Sequence, residues 1–155
     1  MARAWTRPFL GFSFWLAPGK AIKRRVAPQA LQAMKDRVRQ LTRRNGGRSI
    51  GHVVAELRSY LVGWRAYFRL ADTPGIFHDV EKWLHRLLRA IHLKHWKRGT
   101  TVYRELRARG VSEPVAAMAA RFSRTWWRLA GHRALHIALP TAYFDGLGVP
   151  RLAAR

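Results

Sequence analysis

Positive charge dominates this sequence. Thirty Lys and Arg stand against eight Asp and Glu, which gives a formal net charge of +22 on 155 residues. A compact chain with so much like charge repels itself, and a phosphate backbone is the commonest compensating partner. Of the cations, 24 are Arg and 6 are Lys, and the forked guanidinium grips phosphates bidentately. The charge therefore predicts a nucleic-acid partner.

The composition predicts a folded body and not a basic tail. Hydrophobic residues make up 48% of the chain and aromatic residues 12%, far more than a disordered cationic segment contains. The length fits one domain with room for a small appendage. The chain has no Cys, which excludes disulfides, thiolate zinc sites and a Cys nucleophile and fits a cytoplasmic location. No segment reaches the roughly 18 apolar residues of a membrane span, so no membrane partner is expected.

The pattern of residues 9–26 predicts a β-hairpin. Leu10, Phe12, Phe14 and Leu16 alternate on one face, the segment 17–20 contains Pro and Gly, and residues 22–26 alternate back. An isolated hairpin is marginally stable in water. We therefore expect it to belong to a larger sheet that this chain does not contain.

From Pro28 the hydrophobic period becomes helical, and three amphipathic helices are predicted. The first ends at Gly46-Gly47, Ser49 is the expected N-cap of the second, and Thr73-Pro74 precedes the third. Their apolar stripes are Leu31, Met34, Val38 and Leu41; Ile50, Val53, Val54, Leu57, Leu61, Trp64 and Phe68; and Phe77, Val80, Leu84, Leu87, Leu88 and Ile91. Lys82, Arg86 and Arg89 are predicted on the opposite side of the third helix.

The expected fold class is mainly α, with a three-helix bundle preceded by a β-hairpin and followed by a small region of helices and loops. In that last region, helices are predicted at about 102–109 and 113–121, and short helices and loops over 122–155. The corresponding segments are 1–27, 28–98 and 99–155.

The sequence offers little that could support catalysis. The eight carboxylates are scattered, and the closest pair, Asp79 and Glu81, points to different sides of a helix, whereas two-metal phosphoryl chemistry needs clustered acidic ligands. His92 with His95, and His132 with His136, have spacings that a zinc site could use, but no further ligand is evident nearby. We interpret these histidines as part of an arginine-rich surface, and expect no catalytic residue, metal or cofactor.

Two basic segments are candidates for nucleic-acid contacts. The segment 46–49 precedes a helix N-terminus, where it could hold a phosphate or form a plain turn. The run 95–98 leads into Tyr103 and interleaves aromatics with cations. The predicted phosphate contacts are Arg37, Arg43, Arg44, Arg48, Lys97, Arg98, Arg104 and Arg107, with Tyr103 as a stacking residue.

The tryptophans leave alternatives open. Trp96 suits core packing slightly better than base stacking. Of the adjacent Trp126 and Trp127, at least one is expected to be buried, and the other is a candidate lid or stacking residue.

Several segments match a known family in order and at compatible spacing. They are residues 9–14 (FLGFSF), 35–45 (KDRVRQLTRRN), 61–68 (LVGWRAYF), 96–98 (WKR), 106–111 (LRARGV) and 142–150 (AYFDGLGVP). Together they resemble the C-terminal part of a bacterial group II intron reverse transcriptase/maturase. The resemblance implies that the hairpin is the end of the palm, that the three helices are the thumb (domain X, the maturase-specific domain), and that residues 99–155 form a nucleic-acid-binding region.

The resemblance also implies a function. In this family these parts bind group II intron RNA and assist its splicing. The family's polymerase centre needs adjacent aspartates, and the chain has no adjacent acidic residues. The first hypothesis is therefore an RNA-binding maturase domain without polymerase activity, which is not itself an enzyme.

Two other hypotheses remain. The second is a thumb subunit, or a decayed fragment, of a reverse transcriptase that needs a palm supplied in trans. A DNA target or such a separate palm is then a further candidate partner beside the intron RNA. The third is an unrelated DNA-binding protein with residues 102–121 as a helix-turn-helix.

Overall fold

The chain forms a β-hairpin followed by eight α-helices in a computed structural model that describes residues 9–43, 48–72 and 74–153. The strands are β1 (Phe12–Leu16) and β2 (Ile22–Val26), paired antiparallel with Phe12 opposite Val26. The helices are α1 (Pro28–Thr42), α2 (Ile50–Tyr67), α3 (Gly75–Trp96), α4 (Gly99–Ala108), α5 (Glu113–Ala120), α6 (Trp126–Ala130), α7 (Arg133–Ala138) and α8 (Thr141–Leu147). A 3₁₀ turn, Phe68–Leu70, follows α2. The mainly α fold class with a preceding hairpin is confirmed.

Local sequence signals explain where the first helices begin. Pro28 occupies the first turn of α1, where its missing N–H costs nothing. Ser49 caps α2 as predicted, because its hydroxyl accepts a hydrogen bond from the His52 N–H at 3.3 Å. Gly46-Gly47 and Thr73, which were expected to bound helices, lie outside the described residues.

The chain divides into two compact units, residues 1–80 with 150–155, and residues 81–149. In the first unit, the hairpin packs on the C-terminal end of α2 through aromatic rings. The ring centroid of Phe12 lies 5.1 Å from that of Phe68, which in turn lies 5.0 Å from that of Trp64. The Tyr67 hydroxyl donates to the Leu10 carbonyl at 2.7 Å. Among the residues that the structure describes, these contacts attach the two-stranded hairpin to the end of α2 and the turn that follows it.

The second unit runs from residue 81 of α3 through α8. Its core contains fully buried Leu88, Leu106, Leu135 and Phe144. The side of α3 predicted to be exposed is instead covered at Arg89, which is 4% exposed and donates from Nε to the Leu139 carbonyl at 3.0 Å. The prediction for Arg89 was wrong because the covering residues come from a distant part of the chain.

Two boundaries differ from the sequence expectations. Helix α4 begins at Gly99, three residues earlier than predicted. The two compact units also differ in their boundaries from the predicted segments 1–27, 28–98 and 99–155. The hairpin belongs to the same unit as α2, whereas most of α3 belongs to the unit of the later helices. Those three segments stay a prediction about functional parts.

Candidate nucleic-acid interface

In the first unit, the predicted contacts lie around the end of α1. Arg37 and Arg43 are exposed, and Arg43 caps the C-terminus of α1. Arg37 lies close enough to Tyr60 to act on it electrostatically: burial raises the pKa of the Tyr60 hydroxyl, and the positive charge of Arg37 partly opposes that rise. Arg44 lies outside the described residues.

Arg48 has a structural role that the sequence did not reveal. Its Nη1 atom pairs with the Glu56 carboxylate at 2.5 Å, and its Nη2 atom donates to the carbonyls of Leu41 and Arg43, each at 3.2 Å. These bonds join the end of α1 to α2. A phosphate contact by Arg48 stays a prediction. In such a contact the Arg48 guanidinium would bind the phosphate and Glu56 at the same time.

In the second unit, helix α4 presents a cationic face. Val102 and Leu106 are buried, whereas Thr100, Arg104 and Arg107 are exposed at positions i, i+4 and i+7, with the half-buried Tyr103 beside them. Arg104 lies 3.9 Å from Glu105, and its side chain is 72% exposed. Three of the predicted contacts, Tyr103, Arg104 and Arg107, therefore share one helix face.

Lys97 and Arg98 form the sharp corner between α3 and α4, and both are exposed. Lys97 adopts the left-handed conformation with φ of 58°, and its N–H donates to the Leu93 carbonyl at 3.0 Å. This conformation is unfavourable for an L-residue, but it ends α3 and lets α4 start at once. The two predicted contacts thus precede the cationic face of α4 directly.

Glycine at position 99 brings this corner against the end of α5. A Cβ atom on Gly99 would lie 2.8 Å from the Ala120 carbonyl oxygen and 3.6 Å from the Ser123 hydroxyl. Only a residue without a side chain allows the two backbones to approach so closely. Lys97 and Arg98 consequently lie next to the segment that follows α5.

That segment carries a cluster that the sequence reasoning mostly missed. We call it the aromatic turn, and it consists of the exposed residues Arg121, Phe122, Arg124, Trp127 and Arg128. The Arg128 guanidinium lies 5.9 Å from the ring centroid of Phe122, and that of Arg86 lies 4.4 Å from the ring centroid of Trp127. The alternation of Arg and aromatics over 121–128 was the available signal, but only Trp126 and Trp127 were predicted from it.

Arg86 and Gly131 fix the position of Trp127. Arg86 donates from Nε and Nη2 to the Trp127 carbonyl, at 3.0 and 2.8 Å. A Cβ on Gly131 would lie only 3.3 Å from the guanidinium carbon, so glycine there leaves room for Arg86. Trp127 remains 44% exposed, whereas Trp126 is half-buried with the Lys94 ammonium 5.2 Å from its ring centroid.

The remaining tryptophan and histidine expectations have mixed outcomes. Trp96 is half-buried, with the Arg109 guanidinium 5.3 Å from its ring centroid, so stacking by Trp96 stays a prediction. His92 is 6% exposed, which corrects its interpretation as a surface residue. Aromatic side chains surround it, and its Nε2 lies 3.4 Å from the Tyr143 hydroxyl. Burial, with a smaller contribution from Arg109, lowers the pKa of His92 from 6.5 to about 4.

The other histidine pair also has a local explanation. The His132 Nδ1 atom accepts from the Ala134 N–H at 3.1 Å and so caps α7. In the described ranges 9–43, 48–72 and 74–153, no group of three or more His, Asp or Glu is placed to hold a metal ion. Among the helices of that part of the chain, none combines the length and apolar character needed to cross a membrane.

The acidic residues neutralise only a small part of the positive charge. Asp36, Glu56, Asp72 and Glu105 form ion pairs with Arg39, Arg48, Arg24 and Arg109 respectively. The second unit alone contains thirteen Lys and Arg against four Asp and Glu. It has no acidic residue between Glu113 and Asp145, so the aromatic turn lies in a long acid-free stretch.

The fold and these surfaces define a mainly helical protein with exposed cationic faces. Residues 31–110 match the model of the group II intron maturase-specific domain. This match covers more than half of the chain, and the chain therefore belongs to the family of the group II intron maturase-specific domain. A search of curated proteins found no match. All nine predicted contact residues lie inside the matched range.

Proposed function

We propose that this chain is an RNA-binding maturase domain that assists the splicing of group II introns and has no polymerase activity of its own. The observation that carries the proposal is the exposed cationic face of α4 with the adjacent Lys97-Arg98 corner, which lies within residues matched to the maturase-specific domain. The intron RNA itself would supply the chemistry of splicing, and the protein is not an enzyme.

The proposed mechanism is electrostatic. A compact RNA fold brings phosphates together against their mutual repulsion, and each Arg or Lys that binds a phosphate releases condensed counterions. Exposed cations fixed on a helix supply this charge without a large ordering cost. The protein would thus stabilise the folded intron over its open forms.

The salt dependence of binding tests the RNA-binding step. The eight cationic candidates would give a slope of log affinity against log salt of up to about −6 to −7, since each contact contributes about −0.7 to −0.9. A slope shallower than about −2 on a folded group II intron RNA would contradict the proposal. Stronger competition by duplex DNA than by structured RNA would instead favour the helix-turn-helix hypothesis.

Substitutions of basic residues test which of them contact the RNA. Arg98→Gln with Arg104→Gln should make the slope less steep by about 1.5 to 2. Neither guanidinium has a main-chain carbonyl partner among the bonds described above, so folding should be little affected. Lys82→Gln is the matched control, because Lys82 is exposed on α3 in the same unit but is not a predicted contact. An equal effect of the control would contradict the placement on α4.

A splicing assay tests whether the protein assists the splicing of the intron. With precursor RNA at limiting Mg²⁺, the wild-type protein should accelerate splicing, and the Arg98/Arg104 double variant should do so less. Tight binding without any acceleration would refute the maturase role and leave only RNA binding.

The thumb-subunit alternative has one structural observation in its favour. Around the hairpin, Phe9, Leu10 and Ile22 are 65%, 68% and 69% exposed, although all three are apolar. An exposed apolar hairpin is able to pair with a further strand. Copying activity after addition of a separate reverse transcriptase palm would support this alternative, and no activity would refute it.

A further inference from the structure

We infer that the aromatic turn is a stacking site for the unpaired bases of single-stranded RNA. This inference rests on the proposed function, because it takes RNA as the ligand. It goes beyond that function by adding a second site with a different chemistry. The predicted contacts on α4 are mainly phosphate contacts, whereas Phe122 and Trp127 offer ring surfaces to bases.

Exposure and charge together select this ligand. Phe122 is 46% exposed and Trp127 is 44% exposed, and each has an arginine guanidinium near its ring. Exposing two large aromatic rings to water is unfavourable unless a ligand covers them. Arg121, Arg124 and Arg128 add three exposed cations with no acidic residue in the turn, so the ligand should be a polyanion that also carries flat apolar groups. Single-stranded RNA has both properties, because every base has a π-face and every linkage a phosphate.

The turn is already ordered for binding. The Thr125 N–H and the Thr125 hydroxyl both donate to the Phe122 carbonyl at 2.9 Å. The two Arg86 bonds hold the carbonyl of Trp127. Since the backbone beside both rings is hydrogen-bonded, little conformational entropy remains to be lost when bases stack.

The site also continues the predicted interface. Gly99 touches the Ala120 carbonyl at the end of α5, which places the Lys97-Arg98 corner beside the start of the aromatic turn. A strand whose phosphates contact that corner can continue onto the turn. The expected arrangement is therefore a phosphate-binding face followed by a base-binding face within the second unit.

The experiment compares two probes of equal charge. One is an unstructured RNA oligonucleotide of about 12 nucleotides, within the usual range of single-strand binding sites, and the other is its abasic equivalent with the same phosphates. Wild-type protein should bind the oligonucleotide with bases more tightly. Phe122→Ala with Trp127→Ala should weaken that binding by about tenfold or more and leave binding of the abasic probe unchanged.

Two further variants separate stacking from folding and from general apolar contact. Phe122→Tyr with Trp127→Phe keeps both rings and should retain wild-type affinity. Met118→Ala is the matched control, because Met118 is 51% exposed and lies four residues before Phe122 but has no ring. Circular dichroism of each variant checks that the helices are intact.

Each other outcome overturns the inference in a distinguishable way. If the alanine variant binds both probes as tightly as the wild type, or loses affinity equally for both, the rings are not a base-stacking site. If Met118→Ala weakens binding as much, the effect comes from general apolar contact and not from stacking on the rings. If wild-type protein binds both probes equally well, or binds neither, only this inference fails, because the proposed function is overturned separately by a salt slope shallower than about −2 on folded group II intron RNA.

Discussion

Replacing Lys97 by glycine should make the protein more stable and its RNA binding weaker. Lys97 has a φ of 58° and connects two helices as an exposed residue. The left-handed conformation costs an L-residue about 1–2 kcal/mol, and glycine avoids this cost. Glycine also gives the unfolded chain more conformational entropy, which lowers the free energy of unfolding by about 0.4–1 kcal/mol. The net effect of Lys97→Gly is a stabilisation of about 0.5–1 kcal/mol.

Two assays measure the two effects separately. Thermal unfolding followed by circular dichroism should show a melting temperature higher by about 1–4 °C, the range for a chain of this length. The salt dependence of intron RNA binding should become less steep by about 0.7–0.9, since one phosphate contact is lost.

Lys20→Gly provides the control. Lys20 is also exposed and left-handed, with φ of 63°, but it lies in the turn between β1 and β2 and is not a predicted contact. Its replacement should stabilise the protein similarly and leave the salt slope unchanged. Loss of stability in Lys97→Gly, or an unchanged salt slope, would refute the reasoning.

Three further variants test the packing and the electrostatics. Gly99→Ala should destabilise by about 1–3 kcal/mol in denaturant unfolding, because its Cβ would lie 2.8 Å from the Ala120 carbonyl oxygen. Gly63→Ala should instead stabilise by about 0.5–1 kcal/mol, because its Cβ would meet no atom of the described residues within 4 Å beyond its own helix backbone and chain neighbours; equal effects would contradict the close approach. Ser49→Ala should cost about 1 kcal/mol in the same assay through the lost N-cap bond, and no loss would mean that another group caps α2. The pKa of His92 is about 4 in the folded chain against an ordinary 6.5, so between these values the unfolded chain binds a proton that the folded chain does not. The contribution of neutral His92 to the free energy of unfolding is therefore fully present above pH 6.5, and it decreases by up to about 3 kcal/mol as the pH falls towards 4. His92→Gln should make the stability depend less on pH in this range, and an unchanged dependence would mean that other groups cause it.

The local features of the fold could be predicted because they depend on short-range periodicity. In the stripe predicted for the second helix, six of the seven residues are buried and Ile50 is half-buried. The burial of Arg89 and His92 could not be predicted in this way. Each is covered or contacted by residues about fifty positions later, Leu139 and Tyr143, and a helical period carries no information about such partners.

The candidate site also has one part that the sequence predicts and one part that only the fold reveals. Residue type and spacing were enough to place Tyr103, Arg104 and Arg107 on one face of a helix. The aromatic turn shows no helical periodicity of apolar residues, because its residues 121–125 lie between α5 and α6. Its position beside Lys97-Arg98 depends on the contact of Gly99 with Ala120, which only the folded chain reveals.

The arginines of this chain also show why net charge alone overstates the number of nucleic-acid contacts. At least six of them donate to main-chain carbonyls: Arg48, Arg65, Arg86, Arg89, Arg107 and Arg109. The bond of Arg89 satisfies a buried carbonyl that would otherwise be costly to leave unpaired, whereas the other bonds are partly buried or exposed. Of these six, only Arg48 and Arg107 are among the predicted contacts. Because the structural arginines contribute charge at long range but few direct phosphate bonds, the salt slope should correspond to between six contacts, without Arg48 and Arg107, and eight contacts, and not to the net charge of +22.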